Sequence, residues 1–187
     1  MDPVLKLIYP PSPWVVRFSS LITGDVLDIA CGNGRHTRYF ADRGHKVTAM
    51  DRDISGLADL QENKNVEPIK IDLEKSLIFS KNILSNNTYN AVIVTNYLWR
   101  PLMPHIISAV DNDGILIYET FSSGNEVFGK PNNPEYLLQP AELLKLVSGN
   151  LEVIAYESGM IKIPQVAIIQ RICAIKRKNV FSRPQLL

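Results

Sequence analysis

From Gly24 onward, short apolar runs alternate with segments of helical spacing, and that alternation restricts the fold more than any other feature. The runs GDVLDIA, KVTAMD, VEPIKI, NAVIVTN and GILIYETF read as five strands that give way to polar residues. Strands of this kind are covered on both faces, and their C-terminal ends open onto a ligand crevice. The segments between them begin near Arg35, Ile54, Glu74 and Pro101 and carry uneven helical spacing, weakest in the third. Asn86-Asn87 marks a turn before the fourth strand, and Asp111-Asn112-Asp113-Gly114 a sharper one before the fifth. The expected class is therefore α/β, a Rossmann-like doubly wound sheet.

After the fifth strand, residues 122–136 are rich in Gly, Asn and Pro and read as a long loop that can cover a substrate, with Asn125, Glu126, Lys130 and Asn132 along it. Pro140 then opens a helix, and LEVIAYESG and QVAIIQRICAIKR form a hairpin of strands joined by GMIKIP. Pro3, Pro10, Pro11 and Pro13 make the N-terminus extended, and a helix starts near Trp14. Two readings of this arm stand: a lid, or a cover in which Trp14 and Phe18 lie over one edge of the sheet. A length of 187 residues suits one domain. Its parts are an arm and helix over 1–23, a core over 24–178 and a tail over 179–187.

Twenty basic and 19 acidic residues leave a net charge of +1, so no long-range field attracts a polyanion. Nucleic acid is unsupported rather than excluded. The densest basic run, Lys176-Arg177-Lys178 with Arg183, reads as a solvated strand end. Cys31 and Cys173 lack metal-ligand spacing and read as free thiols of a reducing compartment, and no metal site is expected. The prolines interrupt any signal peptide and no apolar stretch spans a membrane, so a cytoplasmic location without membrane association is expected.

The turn Cys31-Gly32-Asn33-Gly34 stands between the first strand and the first helix, where backbone amides face a ligand. Dinucleotide sites share such a turn, so its neighbours decide. Asp28 on the preceding strand repels a pyrophosphate and favours the ammonium and sulfonium of S-adenosylmethionine. Thr37 stands where the dinucleotide fingerprint needs its third glycine. Asp51, followed by Arg52, closes the second strand, where an acid accepts from ribose hydroxyls, with Asp53 as a substitute. Asp72 after the third strand is either a helix cap or an acceptor for an adenine amine, with Leu73 covering the ring.

The stretch VLDIACGNGRHTRYFADRGHKVTAMDRD resembles the first two motifs of class I S-adenosylmethionine-dependent methyltransferases, and IDLE and NAVIVTNYL extend the resemblance more loosely. The resemblance implies seven strands, with the last inserted antiparallel between the fifth and sixth. It implies that Gly32 and Gly34 line the methionine part, that Asp28 lies near the ammonium and that Asp51 binds ribose. Ala30 replaces a frequent glycine, which bears on how closely the backbone approaches. Arg35 and His36 are candidates for the methionine carboxylate, although His36 is expected to face solvent. NYLWRPLMP and IYETFSSGNEVFGKPNNPEYLL are similar to a group of small bacterial methyltransferases of unassigned substrate and, more distantly, to tellurite-resistance and thiopurine-type enzymes.

Methyl transfer from a sulfonium needs alignment more than acid-base chemistry, and the acceptor approaches above the ends of strands four and five. Asn96, also a cofactor candidate, and Tyr97 stand there as candidates beside the methyl group, with Trp99 as a further ring or plain apolar cover. Arg100 is a candidate to hold an anionic acceptor. Glu119 is either structurally paired, with Arg100 as the expected partner, or a base. The adenine-N6 methyltransferase signature is absent, since Tyr97-Leu98 follows Asn96. The leading expectation is methylation of a small molecule or metalloid; the alternatives are an RNA methyltransferase with a partner subunit and a non-catalytic cofactor-binding module. Oligomeric state is left open.

Overall fold

A computed structural model describes residues 9–75, 84 and 86–178. Seven strands, β1 (Val26–Ile29), β2 (Val47–Asp51), β3 (Val66–Lys70), β4 (Tyr89–Thr95), β5 (Val110–Phe121), β6 (Glu152–Ile161) and β7 (Ala167–Ile175), form one sheet. Their order is β3-β2-β1-β4-β5-β7-β6, and β7 runs antiparallel to both of its neighbours while the other pairings are parallel. This is the doubly wound, Rossmann-like sheet with an inserted antiparallel last strand. The order places the ends of β1 and β4 side by side where successive crossovers diverge, which is where an open α/β sheet forms its crevice.

Side-chain alternation divides the strands between two cores. On one face Leu27, Ile29, Val92, Val94, Leu116 and Tyr118 pack with Ile106 and Ile107 of α3 (Met103–Ser108) and Leu143 and Val147 of α4 (Glu142–Val147). On the other, Val26, Ala49, Ile93, Ile115 and Ile117 meet Trp14, Val15 and Phe18 of α1 (Pro13–Phe18), Phe40 of α2 (Arg35–Ala41) and Leu57. Asp28, Thr95, Glu119 and Arg171 share the alternation of this second face at the crevice end.

Three expectations change. Trp14 and Phe18 cover the face of the sheet rather than an edge, since they join the central residues Ile93 and Ile115 in one core. Asp111–Gly114 do not end a strand: pairing passes from Tyr89–Val110 to Ala91–Ile115, so the segment bulges within β5. The Asp113 amide donates to Lys176 O at 2.6 Å and the Lys176 amide to Gly114 O at 3.0 Å, which gives the bulge its backbone partners. Residues 54–60 form 3-10 turns rather than an α-helix, started by Asp53 accepting from the Ser55 amide. Most of the third expected helix, residues 1–8 of the arm and the tail 179–187 with Arg183 lie outside the described residues.

Candidate active site

The turn after β1 is built from left-handed backbone. Ala30, Gly32 and Gly34 have φ of 53°, 57° and 73°, and the Gly34 amide donates to Cys31 O at 2.9 Å. Gly34 must be glycine for a second reason, since a Cβ there would lie 2.2 Å from Leu57 Cδ2. Gly32 differs, because a Cβ would meet nothing within 4 Å and its surroundings are open. Ala30 bears more than the closeness of approach: an alanine in this conformation costs about 1–2 kcal/mol. Cys31 is buried and free.

Asp28 lies beneath the turn and not on its surface. It is 1% exposed, and its Oδ2 accepts from Thr37 Oγ1 at 2.7 Å. Burial raises its pKa to about 6, partly offset by bonds from the Thr37 hydroxyl and amide. Asp28, expected near a cofactor ammonium, forms a structural link between β1 and α2 beneath the turn, and Thr37 is the residue that closes it. Asp51 does face the turn: Oδ2 accepts from the Gly32 amide at 2.8 Å and Oδ1 from the Asp53 amide at 2.9 Å. A carboxylate has lone pairs beyond these two bonds for diol hydroxyls.

Arg52 is exposed; the Asp72 carboxyl is held below the usual range first by the Lys75 amide and then by the Glu74 amide, with the Lys75 and Arg52 charges adding to it. Asp72 chiefly caps its own turn, with Oδ1 accepting from the Glu74 and Lys75 amides at 3.1 Å each, which is the cap reading. Leu73 is 5% exposed within the core, a correction to its place over an adenine ring.

His36 overturns the expectation of a solvent-facing residue, being 2% exposed. The Ser12 amide donates to Nε2 at 3.1 Å, so the neutral ring carries its proton on Nδ1, 3.5 Å from Thr95 Oγ1. Burial and then the Arg35 charge lower its pKa to about 3. Ser12 Oγ donates to Glu119 Oε1 at 2.8 Å, and Arg171 Nη1 donates to Glu119 Oε2 at 3.3 Å. The expected Glu119–Arg100 pair is thus replaced by Glu119–Arg171, which the direct β5–β7 register makes inevitable. An arginine inside the apolar run AIIQRICAI is the sequence signal for that partner.

Arg35 is held more loosely than its neighbours. Its Nη2 donates to Thr95 Oγ1 at 3.4 Å, and the charges of Glu119 and Asp28 act on it. Ser12, Thr95 and Arg171 are the members of this group that sequence reasoning missed.

At the β4 end Asn96 is exposed with φ of 55°, and its amide donates to Glu119 O. Tyr97 is half-buried, and neither its hydroxyl nor Trp99 Nε1 has a partner among the described residues. Arg100 is committed elsewhere. Nε and Nη2 form a two-point pair with Glu142 at 2.8 and 3.0 Å, and Nη1 and Nη2 donate to Glu135 O and Leu137 O. The anion-holding role is corrected to a clasp that fastens residues 135–142 to the end of β4. Loop 122–136 is pinned at its base, where Asn125 accepts from the Ile168 amide and donates to Pro131 O.

The residues present suit S-adenosylmethionine: the open side of Gly32, the Asp51 carboxylate beside it, and a half-buried Arg35 with one long hydrogen bond. Comparison with known proteins agrees. The family described as "Methyltransferase domain" matches residues 26–112. The probable S-adenosyl-L-methionine-dependent methyltransferase TehB of Haemophilus influenzae is 34% identical over 83 residues, 44% of this chain and 29% of TehB's length. The TehB crystal structure superposes with a TM-score of 0.68 at 22% identity, covering 87% of this chain and 61% of TehB. The Burkholderia thailandensis 1,6-didemethyltoxoflavin-N1-methyltransferase, solved with its acceptor and S-adenosylhomocysteine, gives 0.61 at 18% identity over 88% of this chain and 76% of that one. The methyltransferase-domain match over residues 26–112 and the fold shared with these solved structures make the chain similar to S-adenosylmethionine-dependent methyltransferases.

Proposed function

We propose that this protein transfers the methyl group of S-adenosylmethionine to a small-molecule acceptor by direct displacement. The observation that carries the reading is the Gly32–Asp51 arrangement, an open left-handed turn whose amide is bonded to an acid at the end of the next strand. When bound, the cofactor supplies an electrophilic methyl group on a good leaving group. The chain's own residues bind, orient and exclude water: Asp51 accepts from the ribose hydroxyls, Arg35 faces the methionine carboxylate, and Asn96 and Tyr97 flank the reacting region. Support for a small acceptor comes from the relatives' printed names, which include an N1-methyltransferase of a small heterocycle.

The metalloid form of this reading asks for a cation that holds an oxyanion, and Arg100 is already engaged with Glu142. An RNA substrate draws no support from the basic run, because Lys176 bonds Val110 O and Arg177 pairs with Glu152, at the end of the sheet opposite the crevice. A cytoplasmic setting belongs to the proposal and is consistent with two buried free thiols; no described helix is long and apolar enough to cross a membrane. The test is release of S-adenosylhomocysteine across a panel of heterocyclic amines, thiols and metalloid oxyanions. Turnover on a small acceptor is the expected result. Turnover on RNA alone would contradict it.

A further inference from the structure

A cavity of about 210 Å³ opens beside the C-terminal ends of β4 and β5. Its walls include Glu74, Asn96, Tyr97, Thr120, Phe121 and Tyr136. Resting on the methyltransferase reading above, we propose that this cavity takes the acceptor, and that the acceptor is a small planar heteroaromatic base methylated on a ring nitrogen, not an oxyanion.

Size, shape and charge converge on that class. The volume falls below the roughly 300–1,000 Å³ of pockets for drug-sized ligands, which suits one or two fused rings. The rings of Tyr97, Phe121 and Tyr136 supply flat apolar walls that stack on planar groups and attract positive charge. Among the described residues no basic side chain lines the cavity, and Glu74 is part of its lining. Arg100, which the sequence offered as an anion holder, is turned into its pair with Glu142 and the carbonyls of Glu135 and Leu137. Burial, then the Glu74 charge, holds the Tyr97 phenol protonated well above its ordinary range, so it adds no negative charge beside the cavity. An oxyanion here would face a carboxylate with no countercharge among the described lining residues.

A pyridine-type nitrogen also removes the need for a base. Its lone pair forms the new nitrogen–carbon bond as the carbon–sulfur bond breaks, and the bonding pair of the broken bond stays on sulfur as a neutral thioether. No proton is released, and the positive charge passes from sulfur to the ring. That developing ring cation lies between aromatic faces and Glu74, where it is stabilised relative to the neutral reactant. The commitment of Glu119 to Ser12 and Arg171 then costs the reaction nothing.

The test is calorimetric titration of the protein saturated with S-adenosylhomocysteine, using N-methylquinolinium, 2-naphthoate and selenite as probes. N-Methylquinolinium is expected to bind roughly tenfold or more tighter than 2-naphthoate, with selenite weakest. Glu74→Gln should narrow the ratio between the two aromatic probes several-fold, and Tyr136→Ala should weaken both. The inference is overturned if 2-naphthoate or selenite binds as tightly as N-methylquinolinium, if no aromatic probe binds, or if Glu74→Gln leaves the ratio unchanged. Failure of S-adenosylhomocysteine itself to bind would be seen in the first titration and would remove the underlying methyltransferase reading with it.

Discussion

Buried behind Ser12 and beside the Arg35 guanidinium, the His36 imidazole is held down to about 3. In the unfolded chain it takes up a proton as pH falls through about 6.5, whereas the folded site resists. Stability present above pH 6.5 is therefore lost on acidification towards pH 3. His36→Gln keeps an acceptor for the Ser12 amide and removes this linkage. Between pH 7 and 4.5, urea melts should show the wild type losing about 2–3 kcal/mol more than the variant. Asp28 runs the other way. Its raised pKa of about 6 means that ionising it opposes folding, so stability falls as pH rises from about 4 to 6, and Asp28→Asn should gain on the wild type over that window. Arg100→Ala removes the clasp on residues 135–142 and should cost about 1–3 kcal/mol in the same melts, since the pair is partly exposed.

At the scale of elements, the turn and α1 separate binding from stability. Gly34→Ala forces a Cβ into Leu57 and should lower stability by about 2–4 kcal/mol through overpacking and backbone strain. Gly32→Ala meets open space, so its stability cost should be nearer 1–2 kcal/mol, while on the proposed cofactor reading its new methyl group should weaken S-adenosylhomocysteine binding. Thermal melts paired with calorimetry distinguish the two. Trp14, 1% exposed with Phe18 edge-on at 4.7 Å and Arg171 over its ring, makes α1 part of the core. Trp14→Ala should accordingly cost about 3–5 kcal/mol. The strands were legible because parallel strands buried on both faces read as continuous apolar runs. The bulge at Asp111–Gly114 was not, because Asp-Asn-Asp-Gly is also good turn chemistry and only the Lys176 backbone bonds decide between them.

Across the whole molecule, the C-terminal end of the central strands gathers the candidate site: the turn after β1, Asp51 closing β2, Asn96 after β4 and Glu119 in β5. The turn and the acid bonded to it were readable, since a glycine turn and an acid closing the next strand are local signals. The network behind it was not, because Ser12, His36, Glu119 and Arg171 are joined only by folding across more than a hundred residues. Asp28 and Leu73 were legible in kind but not in direction, for a sequence position beside a crevice does not say which way the side chain turns. The most direct measurement is calorimetry of S-adenosylhomocysteine and NADH with the wild type and Asp51→Ala. The expected result is binding of S-adenosylhomocysteine alone, weakened by about 1–3 kcal/mol in the variant. Binding of NADH in its place, or an affinity for S-adenosylhomocysteine that Asp51→Ala leaves unchanged, would contradict this assignment of the site.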